Sequence, residues 1–197
     1  MYPDANTLGG SDFFMITLDS VLYETQSLTR HQRYRLAHTI AIWFLRLGAT
    51  PWINLPLQAN IGFFQDTAIA SHKHVNIDKL FIGGLLSSRA PTPIIAAIRS
   101  LGVCLLELCF GCSLESYKVR SGLSGGTGAL AALLDHAAAI QWSDDVLEEA
   151  GPYFDDAIKW CLQARNSIDE SWRTEIWSQV IVPLTNCSNH VSQKPVF

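Results

Sequence analysis

Residues 100–111 read SLGVCLLELCFG, and how this stretch is understood decides the fold. Its single formal charge is Glu107. Taken with RAPTPIIAAIR (89–99) ahead of it, it makes one apolar segment from Ile94 to Phe110, interrupted by Arg99 and Glu107. A membrane span needs roughly 20 apolar residues with few charges. This segment is shorter and twice interrupted. A helix that is apolar on every face, yet too short to span, belongs at the centre of a globular core. Thr92 and Pro93 suit its N-cap and first turn, and Gly111 suits its C-terminal stop. The rest of the chain must therefore wrap around one buried central helix.

The composition agrees with such a core. At 197 residues and 48% apolar content, the chain has enough material for one sizeable domain. Fourteen basic and eighteen acidic residues leave a net charge of −4, with no run of Lys or Arg. That argues against a nucleic-acid partner, which would need a basic face. The start, MYPDANTLGGSDFFM, has no basic region followed by an apolar run, so no secretory leader is expected. Five cysteines without paired spacing fit free thiols in a reducing compartment, and a cytoplasmic location is expected.

Outward from the central segment, helical signals dominate. SLTRHQRYRLAHTIAIWFLRLGATP (27–51) opens with Leu28 as a staple and Thr29 and Gln32 at capping-box spacing. Leu36, Ile40, Phe44 and Leu47 then recur at helical intervals, and Gly48 and Pro51 mark the stop. NIGFF (60–64) and NIDKLFIGG (76–84) read as short extended pieces around a loop. Three helical stretches follow the central one: TGALAALLDHAAAIQW (127–142), SDDVLEEAG (143–151) with acids in its first turn, and PYFDDAIKWCLQA (152–164). In the last of these, Tyr153, Ala157, Trp160 and Cys161 form the expected apolar stripe. In DESWRTEIWSQVIVPL (169–184) the stripe is Trp172, Ile176 and Val180. DFFMITLDSVLYE (12–24) suits a strand or a short helix. The expected organisation is an N-terminal extension over 1–25, a helical domain over 26–187 and a loose tail over 188–197.

Several motifs invite a chemistry they do not support. Cys109 and Cys112 form a C-x-x-C, but at the C-terminal end of a helix, where the dipole disfavours a thiolate. A zinc site would need a second ligand pair; HKH (72–74) is the nearest candidate, and Cys161 and Cys187 stand alone. SGLSGGTGALAALL (121–134), with Thr127 near a cap, suggests a phosphate loop but lacks the lysine and the leading strand. His38 and His136 sit in apolar helices and suit packing better than proton transfer. No Ser/His/Asp set emerges from the spacing.

SLGVCLLEL (100–108) resembles the central buried helix of protein kinases, D-x-W-S-L-G-V-x-L-x-E-L. LAHTIAIWFLRLGATPWINLPLQANIGFF (36–64) resembles the long helix and catalytic loop that precede it, and YFDDAIKWCLQA (153–164) a later kinase helix. RYRLAHTIA (33–41), ATPWI (49–53), LGVCLLELCFG and VIVPL (180–184) together resemble, more closely, a degenerate kinase-like domain of unknown function in fungi. That family usually follows a HeLo-type prion-inhibition and propagation domain. The resemblance implies a mainly α, degenerate kinase C-lobe-like fold with a few short strands.

The departures from kinases are as informative as the matches. With Asn60 aligned on the catalytic-loop asparagine, Leu55 replaces the catalytic aspartate and Leu57 the lysine. LFIGGLL (80–86) stands where D-F-G belongs and brings no carboxylate. Ala97 replaces the aspartate that braces the catalytic loop. Too few residues follow for an ordinary activation segment, and neither a Gly-rich loop nor a V-A-I-K lysine occurs. No catalytic, cofactor-binding or metal-binding residues are therefore expected. The expected role is a pseudokinase-like interaction or regulatory domain in fungal incompatibility or cell-death signalling, acting through a protein partner or self-association. The alternatives are a residual nucleotide- or phosphate-handling enzyme using Asn60 and the Gly-rich stretch 121–134, and a plain helical scaffold. An apolar face over Pro51–Phe64 and Leu80–Leu86 is expected to be either left uncovered as an interface or covered by residues 1–25.

Overall fold

The computed structural model describes residues 13–23, 28–50, 53, 55–66, 77, 79–83, 92–123, 128–165 and 171–192. Strand β1 (Phe13–Thr17) runs into a short helix α1 (Leu18–Tyr23), and the long helix α2 (Arg30–Leu47) follows. After a 3-10 turn over Leu57–Asn60 come β2 (Ile61–Asp66), β3 (Leu80–Ile82) and the central helix α3 (Ile94–Phe110). The second half is helical: α4 (Lys118–Gly122), α5 (Ala129–Trp142), α6 (Val146–Ala150), α7 (Pro152–Leu162), α8 (Trp172–Ile176) and α9 (Val182–Ser192). A π-helical turn, Trp177–Ile181, joins α8 to α9. The described residues are mainly α, as the sequence implies.

Helix α3 is the axis of the core. Ten of its residues, from Ala97 to Cys109, are buried, among them Leu101, Leu105, Leu106 and Leu108 without measurable exposure. It packs chiefly against α7 and α2. The approach to α7 depends on Gly102: a Cβ there would stand 2.8 Å from Cβ of Cys161, too close for any side chain. Gly111 ends the helix with φ 74°, the left-handed conformation that glycine adopts most readily. The Arg33 guanidinium lies against Gly111, placing positive charge at the negative end of the helix dipole.

Helix α2 starts as its sequence indicates. Thr29 accepts from the Gln32 backbone N–H, and the Gln32 side chain accepts from Thr29 N–H at 2.9 Å. Leu36, Ile40 and Phe44 are buried, with Phe44 edge-on to Trp172. The helix stops at Gly48 without a left-handed turn: φ there is −57°, and Gly48 N–H still bonds Phe44 O. Space explains this glycine better than backbone freedom, since a Cβ would meet Phe44 and Trp172.

Two sequence expectations are corrected. In α7 the buried face is Phe154, Ala157, Ile158, Cys161 and Leu162, so the stripe is rotated from Tyr153 and Trp160. Tyr153 is exposed and Trp160 only half-buried, while Phe154 and Ile158 fill the core. At the start of α3, Pro93 rather than Thr92 is the N-cap, and the Thr92 hydroxyl is spent elsewhere. Residues 13–23 pack into the core, as one of the two readings of the N-terminal segment expects. β1 pairs antiparallel with β2 (Met15 opposite Phe64, Thr17 opposite Gly62), and β2 pairs with β3. Leu18, Val21 and Leu22 of α1 are buried. At the other end α9 extends to Ser192, into the stretch expected to be a tail.

Candidate functional site

Beyond α2, Ile53 and residues 55–60 lie across the face of α3; these are the residues that the sequence resemblance aligns with a catalytic loop. Beyond Gly48 the chain turns back on itself: Thr50 N–H and Oγ1–H both reach Leu47 O, at 2.8 and 2.7 Å, and Ile53 N–H reaches Thr50 O. Ile53 is buried, and its carbonyl accepts from the Thr92 hydroxyl at 3.0 Å, just ahead of α3. Leu57 N–H donates to Ser100 Oγ at 3.2 Å. Gln58 Nε2 donates to Glu107 Oε2. Ser100 and Glu107 are seven residues apart, hence two turns along one face of α3. Three polar contacts thus pin the crossing along the length of the central helix.

Glu107 anchors this seam from inside the core. It is 5% exposed. Its Oε1 accepts from Leu114 N–H at 2.8 Å while Oε2 takes the Gln58 amide. Burial raises its pKa to about 7, and the Leu114 and Gln58 donors pull the other way without cancelling that effect. Asp19 of α1 and Glu115 add further negative potential. The Gln58 amide oxygen, itself buried, has no hydrogen-bond partner among the described residues.

The residues placed on the kinase register lie along this crossing. Leu55 is 43% exposed, Leu57 is buried, and Ala97 is wholly buried. Asn60 Nδ2 donates to Pro56 O at 2.8 Å, closing its own turn, and Asn60 O accepts from Gly83 N–H at 2.8 Å. Leu80–Ile82, at the D-F-G position, is the edge strand beyond it. Trp43, Arg46 and Leu47 of α2 face Leu80, Phe81 and Ile82 across an open groove of about 570 Å³. Much of the face expected to be bare is enclosed: Ile53, Leu57, Ile61 and Phe63 are buried, with β1 and α1 packed alongside. Of the two expectations for that face, cover by the N-terminal segment is the one the described residues match.

The other candidates disperse. Cys109 is buried at the end of α3, its thiol pushed up to about 12 by burial, while Cys112 is partly exposed beyond the glycine stop. Cys161 and Cys187 are buried, and burial raises both thiols. His38 Nε2 pairs with Thr185 Oγ1 at 3.0 Å, linking α2 to α9, and burial lowers its pKa. His136 is also lowered, by burial first and then by Arg99. HKH (72–74) and the 124–127 portion of the Gly/Ser loop lie outside the described residues. Among the described residues no cluster of three His, Cys, Asp or Glu could hold a metal ion, and no helix is long and apolar enough to cross a membrane.

Sequence reasoning overlooked the partners of Glu107. The signal was there: a lone carboxylate in a helix buried on every face must find donors. Which donors it finds depends on a crossing about 50 residues upstream, at Gln58, a separation no periodicity reveals. The chain matches no known family model, no curated protein and no solved structure.

Proposed function

We propose that this chain is a degenerate kinase C-lobe-like domain that no longer transfers phosphate and serves as an interaction or regulatory module. On this reading it is a cytoplasmic pseudokinase-like domain of the fungal, HeLo-associated kind, of incompatibility or cell-death signalling, working on protein partners rather than nucleic acid. One observation supports the reading. Ile53 and residues 55–60, which the sequence resemblance aligns with a catalytic loop, are held against α3 by polar side chains of α3 and its leading turn. The positions that would bear the catalytic aspartate and lysine on this register are Leu55 and Leu57, neither of which can accept a hydroxyl proton or hold a metal-bound phosphate. Asn60 is engaged in closing its own turn.

The test is a titration with Mg²⁺-ATP, read by melting temperature and by label transfer to the protein itself and to generic substrates. The expected outcome is no shift and no transfer. Micromolar ATP affinity that Asn60→Ala abolishes would overturn the reading in favour of a nucleotide-handling enzyme.

A further inference from the structure

Helix α5 has the composition of a buried helix and the placement of a surface one. Its sequence, ALAALLDHAAAIQW, carries one formal charge. Its inner face is well packed: Ala138, Ala139 and Trp142 are buried, and Trp142 is stacked between Phe110 and Tyr117 with ring centroids 4.7 and 4.8 Å away. Its outer face is just as apolar but open. Leu130 is 55% exposed, Leu133 62% and Ile140 43%, with Ala129, Ala132 and Ala137 exposed beside them. Leu130, Leu133, Ala137 and Ile140 follow a three-four-three spacing, the seam by which two helices pack together. The ionisable residues lie off that seam: Asp135 pairs with Arg120 of α4, and His136 is half-buried near Arg99.

We propose that this seam is the contact of a homodimer, in which a second copy of this chain lays its α5 antiparallel across the first about a two-fold axis. The inference rests on reading the chain as an interaction domain, and it does not require kinase ancestry. Three features favour a second copy. A two-fold contact needs a patch complementary to itself, and a seam without charge has nothing for a polar partner to recognise. Centred at Asp135, antiparallel pairing sets Leu130 against Ile140 and Leu133 against Ala137, so that each large side chain at the centre meets a small one. The extent is also suitable. A helix of this length runs about 21 Å, and its exposed Leu, Ile and Ala side chains make a stripe of a few hundred Å², the scale at which patches mark interfaces. An anionic lipid surface would instead require Lys or Arg beside the apolar face, and α5 has neither.

Sedimentation of the full chain from about 5 to 200 µM, a range suited to an interface of this modest size, tests the proposal. The expected result is a monomer–dimer equilibrium with a Kd in the micromolar range. Leu133→Glu and Ile140→Glu should each weaken it at least tenfold with an unchanged melting temperature at low concentration. A Leu133→Cys/Ala137→Cys double variant should form covalent dimers on mild oxidation. A wild-type monomer across the whole range overturns the proposal, as do Glu variants that dimerise like wild type. Glu variants that unfold or melt early also overturn it, because the seam would then be covered by its own chain. None of these outcomes bears on the Mg²⁺-ATP titration, so the two readings fail separately.

Discussion

Among the described residues, α3 and α5 are the two most apolar helices, and the fold treats them oppositely. Around α3 other elements close on every side: α7 on Gly102, α2 along its length, and the 53–60 crossing on Ser100 and Glu107. Around α5 they close on one side only, at Ala138, Ala139 and Trp142. The difference teaches that apolar composition announces that a surface will be covered, without saying by what. A charge placed in each helix therefore has opposite consequences. In α3 the lone carboxylate must be met by donors from elsewhere in the chain. In α5 the one carboxylate sits at the flank and reaches Arg120 of α4.

The matched substitution Leu105→Asp against Leu133→Asp gives the largest contrast. Leu105 has no exposure, and an unpaired charge buried there costs several kcal/mol against a total stability of about 5–15 kcal/mol. The variant is expected to unfold, as read by circular dichroism. Leu133 is 62% exposed, and Leu133→Asp should stay within about 0.5 kcal/mol of wild type in dilute solution. A folded Leu105→Asp with an unchanged melting temperature would remove α3 from the centre of the molecule.

A smaller effect comes from the Glu107 carboxyl. Its pKa rises from 4.5 in the unfolded chain to about 7 in the fold, so the folded protein retains a proton that the unfolded chain releases. The associated stability is fully present below about pH 4.5 and is lost as pH rises through 7, by up to about 3 kcal/mol. Denaturant melts from pH 5 to 8 should show this decline, and Glu107→Gln should flatten it. The amide oxygen still accepts from Leu114 N–H, and a turn of the Gln58 side-chain amide brings its oxygen to the new N–H, so the variant should melt higher than wild type at pH 8. An unaltered pH profile in Glu107→Gln would mean that another group carries the titration.

The smallest stability effect belongs to α5. Leu130→Ser and Ile140→Ser, 55% and 43% exposed in the wild type, should each leave dilute-solution stability within about 0.5 kcal/mol while weakening association. Equal losses at α3 and α5 positions would erase the distinction between the two helices.

Local signals were legible in the sequence, and long-range ones were not. The Thr29–Gln32 capping box, the glycine stop at Gly111 and the enclosed character of 94–110 all follow from neighbours within a turn or two. The face of α7 was read about one residue off, because Tyr153 and Trp160 look apolar by composition but sit at the boundary, while Phe154 and Ile158 fill the core. The pairing of β1 with β2 joins residues about 50 positions apart and leaves no periodic trace. The same holds for the bond between Gln58 and Glu107. The Ala/Leu content of α5 marks a helix without saying which face is covered, and only the packing of its neighbours reveals that half of it faces outward.

The buried thiols carry a consequence for how the molecule opens. Cys104 lies mid-way along α3 and Cys109 near its end, Cys161 lies in α7 and Cys187 in α9, and all four are buried, whereas Cys112 is partly exposed. An alkylating reagent should therefore modify one site at once and four only when the surrounding helices part. Each slow labelling rate then measures the free energy of a local opening event. Cys161, set in α7 against Gly102 of α3, and Cys104, wholly buried on the α3 face that carries Ser100 and Glu107, should report the rupture of the whole core, and Cys187 in α9 should react earlier. The chain thus contains its own set of position-resolved probes of native-state breathing.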